Sequence, residues 1–482
     1  ISIHPFSFRL AENPFSLTAD IKTPVSDPDF TAEAKGVLNL GMIKQVYPLD
    51  DMELNGTVRA DMTMAGHLSY IEKEQYDRFS ASGTIALSDM KLKMKEMPDV
   101  EIKKSLFTFT PKYLQLSETT VAIGKNDLTA DCRFENYMGY TLKGSTLKGV
   151  LNVRSNHLNL NDFMTATTDS TAQTSQASST EETVSMIEVP QNIDFQMDAG
   201  LKEVLFDKMT FTNMNGKLIV KNGKVDMTNL SMNTMGGSVV MNGYYSTADP
   251  KKPEMNAGFR MENIGFAQAY KALDMVQQMA PIFENLKGNF SGNMHIRTLL
   301  DNQMSPVMDT MQGNGSLSTQ DLSLSGVKVI DQIAEAVKKP ELKEMKVKDM
   351  TLDFTIKDGR VSTKPFDIKL GDYVMNLSGS TGLDQTIDYS GKIKLPASAG
   401  DIAKLTTLDL KIGGTFSSPK VSLDTKSMTN QAVEAVTDKA ISEIGKKLGL
   451  DSATTANKDS VKEKVKEKAV EKALDFLKKK IK

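Results

Sequence analysis

The 482-residue chain has no tryptophan, one cysteine and four histidines. A single thiol, Cys132, can close no intramolecular disulfide. It falls on the Leu128, Ala130, Phe134 side of an alternating stretch, where it reads as a small buried hydrophobe rather than a reactive thiol. The histidines His4, His67, His157 and His295 show neither HxxxH spacing nor a neighbouring cysteine, so the chain sets out no metal site or catalytic triad. No apolar run approaches the roughly 20 residues of a membrane-spanning helix. A strong charge of either sign is also missing: the net charge is −3 and the isoelectric point about 6.0. With both signs mixed along the strands there is no basic stripe for a nucleic-acid backbone, and no nucleic-acid partner is expected. The glycine pairs Gly236-Gly237 and Gly413-Gly414 end strands and open no phosphate-binding helix. Carboxylates alternate outward into solvent. The expectation is a protein without catalytic residues, cofactor or metal.

What the sequence has in quantity is alternation. Leu352, Phe354 and Ile356 are separated by Asp353 and Thr355, Asp358-Gly359 breaks the run, and Phe366, Ile368 and Leu370 resume it. A third strand carries Tyr373, Met375 and Leu377 to Gly379, and a fourth carries Ile387, Tyr389, Ile393 and Leu395 to Pro396. An earlier stretch has the same layout: Leu218 and Val220, the turn Asn222-Gly223, Val225 and Met227, a break at Gly236-Gly237, Val239 and Met241, then Met255, Ala257, Phe259 and Met261. The glycines coincide at one offset, since 359 − 223 = 136 and 379 − 243 = 136. Looser copies turn at Asn13-Pro14 and Ser26-Asp27, and at Pro111-Lys112 and Gly124-Lys125. Units that cannot bury their apolar face alone are expected to stack as an array.

The predicted fold is mainly β: an elongated, repeat-built antiparallel sheet curved into a groove, with a few amphipathic helices and a helical C-terminal tail. Residues 1–160 read as an N-terminal β-groove segment. Residues 161–190, rich in Ser and Thr, read as a linker or disordered loop. Residues 191–425 read as a second β-groove segment with helices inserted, one over Gly265–Lys287 divided near Pro281 and one over Val327–Val337. Residues 426–482 read as a helical tail. From Lys458 onward this tail holds ten lysines against five acids, which suits either a solvated helix packed by one apolar stripe or a helix lying on an anionic envelope membrane. The 29 methionines, many at inward strand positions, fit a plain core or a soft lining for varied apolar ligands.

The repeated turn-Gly-strand-Gly unit, the turns Asn222-Gly223-Lys224 and Asp358-Gly359-Arg360, the ending Leu410, Ile412, Gly413-Gly414-Thr415-Phe416 with Pro419, and the Ser/Thr stretch after Asn161-Asp162-Phe163 together resemble the C-terminal region of AsmA-like proteins of the Bacteroidetes type, which are related to TamB-like bridge lipid-transfer proteins. The resemblance covers nearly the whole chain. It implies a periplasmic protein anchored in the inner membrane by an N-terminal helix absent from this chain, with phospholipid or another acyl lipid as its cargo and a contribution to outer-membrane biogenesis. The lining is expected from Leu218, Val220, Val225, Met227, Val239, Met241, Phe259, Leu352, Phe354, Ile356, Phe366, Ile368, Leu370, Met375, Leu377, Tyr389 and Ile393. A charge at Phe354, Ile368, Met375 or Leu377 is then expected to block lipid without unfolding the array. The competing expectation is a structural or assembly scaffold of the envelope, with a closed β-sandwich core.

Overall fold

The computed structural model describes residues 2–10, 13–45, 52–73, 75, 78–94, 97–164, 187–324, 326–336, 340–344, 347–394 and 407–424. The helical tail expected over 426–482 and the greater part of the Ser/Thr stretch lie outside these residues. Mainly β, with few helices, is what the chain adopts. It divides into two compact units, the first holding residues 1–261 and 295–310, the second 262–294 and 311–482.

Unit 1 begins with β1 (Ser2–Leu10), β2 (Asn13–Lys22), β3 (Asp29–Asn39), β4 (Met52–His67), helix α1 (Leu68–Glu72), β5 (Ser80–Met94), β6 (Met97–Phe109), β7 (Tyr113–Ile123) and β8 (Asn126–Glu135). Helix α2 (Tyr137–Lys143), β9 (Leu147–Ser155), the two-residue β10 (Leu158–Asn159) and α3 (Asn161–Met164) follow. After them come β11 (Ile193–Phe206), β12 (Met209–Lys221), β13 (Lys224–Thr234), β14 (Gly237–Ser246) and most of β15 (Glu254–Gly265). From β1 to β9 each strand pairs antiparallel with the next. Then β9 pairs with β11 in parallel, from Leu147↔Ile193 to Leu201↔Ser155. A parallel pair needs a connection of a dozen residues or more. The stretch 161–190, expected to link two β segments, therefore joins two strands that are direct neighbours inside one unit.

The turns follow their sequences. Lys221 pairs with Lys224 and Lys357 with Arg360, leaving two-residue hairpins. Their central residues, Asn222-Gly223 (φ 52° and 71°) and Asp358-Gly359 (φ 50° and 68°), hold the left-handed conformation such hairpins require. One expected turn is displaced: Asn13 already pairs with Leu10, so Asn13-Pro14 opens β2. The 136-residue offset extends to an irregularity that alternation does not reveal. The register of β13 on β14 shifts between Met227 and Leu230, and the later copy shifts between Thr363 and Phe366, again 136 residues on. Such bulges bend the strand and sharpen its twist.

Unit 2 takes in α4 (Phe266–Ala272), α5 (Asp274–Met279), a 3-10 turn at Pro281–Asn285, and the start of β16 (Leu286–Leu299). The single helix expected here is thus broken at Leu273 and again before Pro281. Next come β17 (Gln312–Leu324), α6 (Lys328–Ala336), β18 (Thr351–Lys357), β19 (Arg360–Leu370), β20 (Tyr373–Gly382), β21 (Ile387–Lys394), β22 (Thr407–Gly414) and β23 (Pro419–Asp424). The strands β17 to β23 pair antiparallel in chain order. Helix α6 packs on β23. Gln332 Oε1 accepts the Val421 N–H at 3.2 Å, and Lys328 Nζ donates to the Ser417 carbonyl at 2.9 Å. A polar row that would otherwise stay open at the sheet edge is thereby partly covered.

Candidate functional site

Side chains on a strand alternate between faces, so cross-strand register shows which residues share a surface. In unit 1 one continuous row runs Leu17, Ala34, Met62, Gly83, Phe109, Leu114, Phe134, Gly149, Phe195, Val220, Val225, Tyr245. Beside it runs Phe15, Gly36, Ala60, Ile85, Phe107, Leu116, Cys132, Leu151, Met197, Leu218, Met227, Gly243. Twelve strands contribute, and neither row contains a charged residue. The intervening row on the opposite face reads Ser16, Lys35, Asp61, Thr84, Thr108, Gln115, Arg133, Val150, Gln196, Ile219, Asp226, Tyr244. Unit 1 therefore carries an apolar face and a predominantly polar one.

The apolar face is not packed like a core. Ala60 and Cys132 are buried, but most of its large side chains are only half-buried, and Leu17 is 38% exposed. Gly149 lies between the rings of Phe134 and Phe195, whose centroids are 5.6 Å apart; a Cβ there would stand 3.0 Å from both. The two rings thus lie over the glycine and fill the space a side chain would take. One polar contact is set into this surface: Ser105 and Thr119, both buried, hydrogen-bond each other at 2.8 Å.

The expected lining residues are gathered into rows, but in two different environments. Leu218, Val220, Val225 and Met227 belong to the two rows of unit 1. Met241 and Val239 pair with Leu230 and Met232, where Val239, Leu230 and Met232 are buried and only Met241 is half-buried, and Phe259 lies half-buried on β15. In unit 2, Ile368, Met375 and Ile393 form one row and Phe366 and Leu377 the next, while Phe354 is opposite Thr363 and Tyr389 opposite Gly379. Here the fit is tight: Ile356 is 5% exposed, Leu370 1%, Met375 1%, Leu377 6% and Ile393 1%. Leu352, Phe354, Phe366, Ile368 and Tyr389 are half-buried. The stripe of α6, Ile330, Ile333 and Ala334, is itself buried, as are Leu408, Leu410 and Ile412 of β22. A charge at Met375 or Leu377 would therefore have to be buried, and the expectation that it leaves the fold intact is corrected for those two positions.

No family model, curated protein or solved structure matches the chain. Burial pushes the Cys132 thiol up, in keeping with an inert packed side chain. His157 Nδ1 lies 2.6 Å from Glu203 Oε2, a pairing created by the parallel register of β9 and β11. Among the described residues no group of three or more His, Cys, Asp or Glu could hold a metal, and no helix is long and apolar enough to cross a membrane.

Alternation in 106–116, 128–134 and 147–153 marks the central strands of this face, yet the expected lining omitted them because their copies of the repeat are less regular. At the end of the first row, burial, with the charge of Glu188 adding, pushes the Tyr245 phenol up to about 12. Its hydroxyl donates to the Ile187 carbonyl at 2.7 Å. Because the folded-state value is raised, this residue's contribution to stability is complete below the ordinary tyrosine value of about 10 and is lost as pH rises toward about 12. Tyr244, Tyr270 and Tyr389 are also raised, so ultraviolet titration of the folded protein should show a late-ionising phase whose amplitude Tyr245→Phe reduces without abolishing it.

Proposed function

We propose that the apolar face of unit 1 holds the acyl chains of a lipid and that the protein carries lipid without covalent chemistry. The observation that carries this reading is the pair of uncharged rows crossing twelve strands while most of their large side chains remain half-buried. An acyl chain of about 16 carbons in water costs on the order of 12 kcal/mol, at about 0.8 kcal/mol per methylene. A surface of this kind removes much of that cost, and its lack of charge lets a chain slide along it. The resemblance to AsmA-like proteins points the same way and suggests phospholipid as the cargo, a periplasmic location and a role in outer-membrane biogenesis.

A structural role is the competing reading, and the filled core of unit 2 favours it for that unit. Lipid handling is accordingly assigned to unit 1, with unit 2 as a folded support. Native mass spectrometry of the full chain, released gently from detergent, should show adducts of phospholipid mass that Met227→Asp removes. A chain that stays free of lipid after incubation with phospholipid would overturn the carrier reading in favour of the scaffold.

A further inference from the structure

Two short helices in unit 1 meet although the connections that contain them are far apart along the sheet. Helix α1 lies between β4 and β5, and α2 between β8 and β9. Neighbouring strands are about 4.8 Å apart, so a flat sheet would separate these connections by about 19 Å over four strand steps. Yet Lys143 Nζ on α2 donates to the Glu72 carbonyl of α1 at 2.8 Å. Met138 of α2 shares a buried cluster with Ile71, Phe79 and Ala81, against which Met64 and Phe30 pack. Met64 and Ala81 are cross-strand partners on the apolar face. The ends of these strands therefore converge toward that face.

Each helix is also held at its base. The Asp27 carboxylate, in the β2–β3 connection, accepts from Ser69 N at 3.0 Å and Ser69 Oγ at 2.7 Å, and the Leu68 N–H reaches the Pro28 carbonyl at 2.8 Å. At the other side, Tyr137 donates its hydroxyl to the Thr110 carbonyl at 2.9 Å, tying α2 to the β6–β7 turn.

We infer that α1 and α2 form a clasp that keeps β4–β9 curled toward the apolar face and so shapes it to grip an acyl chain, with Met138 and Lys143 as positioning residues. This rests on the acyl-lipid reading of that face. It assigns the two helices a task in ligand retention beyond local packing, because the contact between them bridges β6 and β7, two strands that neither helix connects in the chain.

The test uses the full chain with Cys132→Ala and nitroxide labels at the exposed positions Lys73 and Thr141, compared with the same protein carrying Lys143→Ala, alone or with Met138→Ala. Lys143→Ala touches no buried residue and keeps the experiment interpretable if the double variant folds poorly. Electron-electron resonance should report a short, narrow label distance in the parent and a longer, broader one in the variants. In unlabelled protein with Cys132 retained, a phospholipid bearing a fluorophore at the end of one acyl chain, preloaded and chased with phosphatidylcholine vesicles, should leave the Lys143→Ala and Met138→Ala variants about three to ten times faster than the unsubstituted chain, the effect expected for losing one exposed hydrogen bond. An unchanged label distance would overturn the clasp. A longer distance with unchanged release would overturn its role in retention. Failure of the unsubstituted, unlabelled protein to retain the probe would instead refute the lipid reading, and the retention role with it, whatever the label distance shows.

Discussion

Met375→Asp is expected to unfold unit 2, whereas Met227→Asp should leave unit 1 folded and empty of lipid. The two methionines occupy equivalent alternating stretches, and composition does not distinguish them. Met375 is 1% exposed, between Ile368 and Ile393 on the neighbouring strands. A carboxylate there has to be stripped of water with no cation in its row, at a cost of at least about 4 kcal/mol. Met227 is half-buried between Leu218 and Gly243, where a carboxylate can keep part of its hydration and should cost about 1 kcal/mol. Urea unfolding followed by circular dichroism should show part of the transition lost for Met375→Asp and a small shift for Met227→Asp. Equal destabilisation by the two would mean that the apolar face of unit 1 is a packed core after all.

The second large effect is expected at Gly83. Its backbone has φ +140°, and a Cβ there would stand 2.2 Å from the Asp61 carbonyl oxygen and 2.4 Å from the Met62 Cα. No rotamer relieves a clash with neighbouring backbone, so β4 and β5 would have to move apart in the middle of the first row. Gly83→Val should destabilise unit 1 by about 3 kcal/mol or more, the sum of strain at a positive φ and disrupted pairing. Gly144, at φ +66° with nothing within 4 Å of the added atom, gives the matched control. Gly144→Ala should cost only about 1 kcal/mol, from its left-handed position after α2. Thermal unfolding of the two variants measures the difference.

Much of this fold can be read from alternation and turn chemistry. Asn222-Gly223 and Asp358-Gly359 specify two-residue hairpins locally, because few residues other than glycine, asparagine and aspartate accept their dihedral angles. Alternation around them then fixes which residues share a face. The parallel pairing of β9 with β11 leaves no such local mark. It depends on partners 46 residues apart, brought together only when the chain returns after the Ser/Thr stretch, and the His157–Glu203 contact arises from the same register. The bulges were hidden for a related reason: an extra residue such as Asn229, at φ 49°, looks in sequence like one more polar position.

That an apolar strand face exists was legible in the sequence, but where it stays open was not. Hydrophobic spacing cannot tell a strand face left open from one covered by another element, since Met227 and Met375 follow the same pattern. What separates them is burial in the folded chain, where Met375 is 1% exposed and Met227 half-buried. The central strands β5 to β9 went unassigned because bulges and shorter turns blur their repeat, although Phe107, Leu116 and Leu151 complete the same row as Leu218 and Met227.

Photolabelling tests the central claim most directly. The intact protein would be incubated with a phospholipid carrying a diazirine midway along one acyl chain, irradiated, digested and mapped by mass spectrometry. Crosslinks should concentrate on the half-buried side chains of the apolar face, such as Phe107, Phe195, Leu218 and Met227, and spare Met375 and Leu410. Labelling spread over the polar face, or none above that of a soluble control protein, would contradict the assignment of unit 1 as a surface for acyl chains.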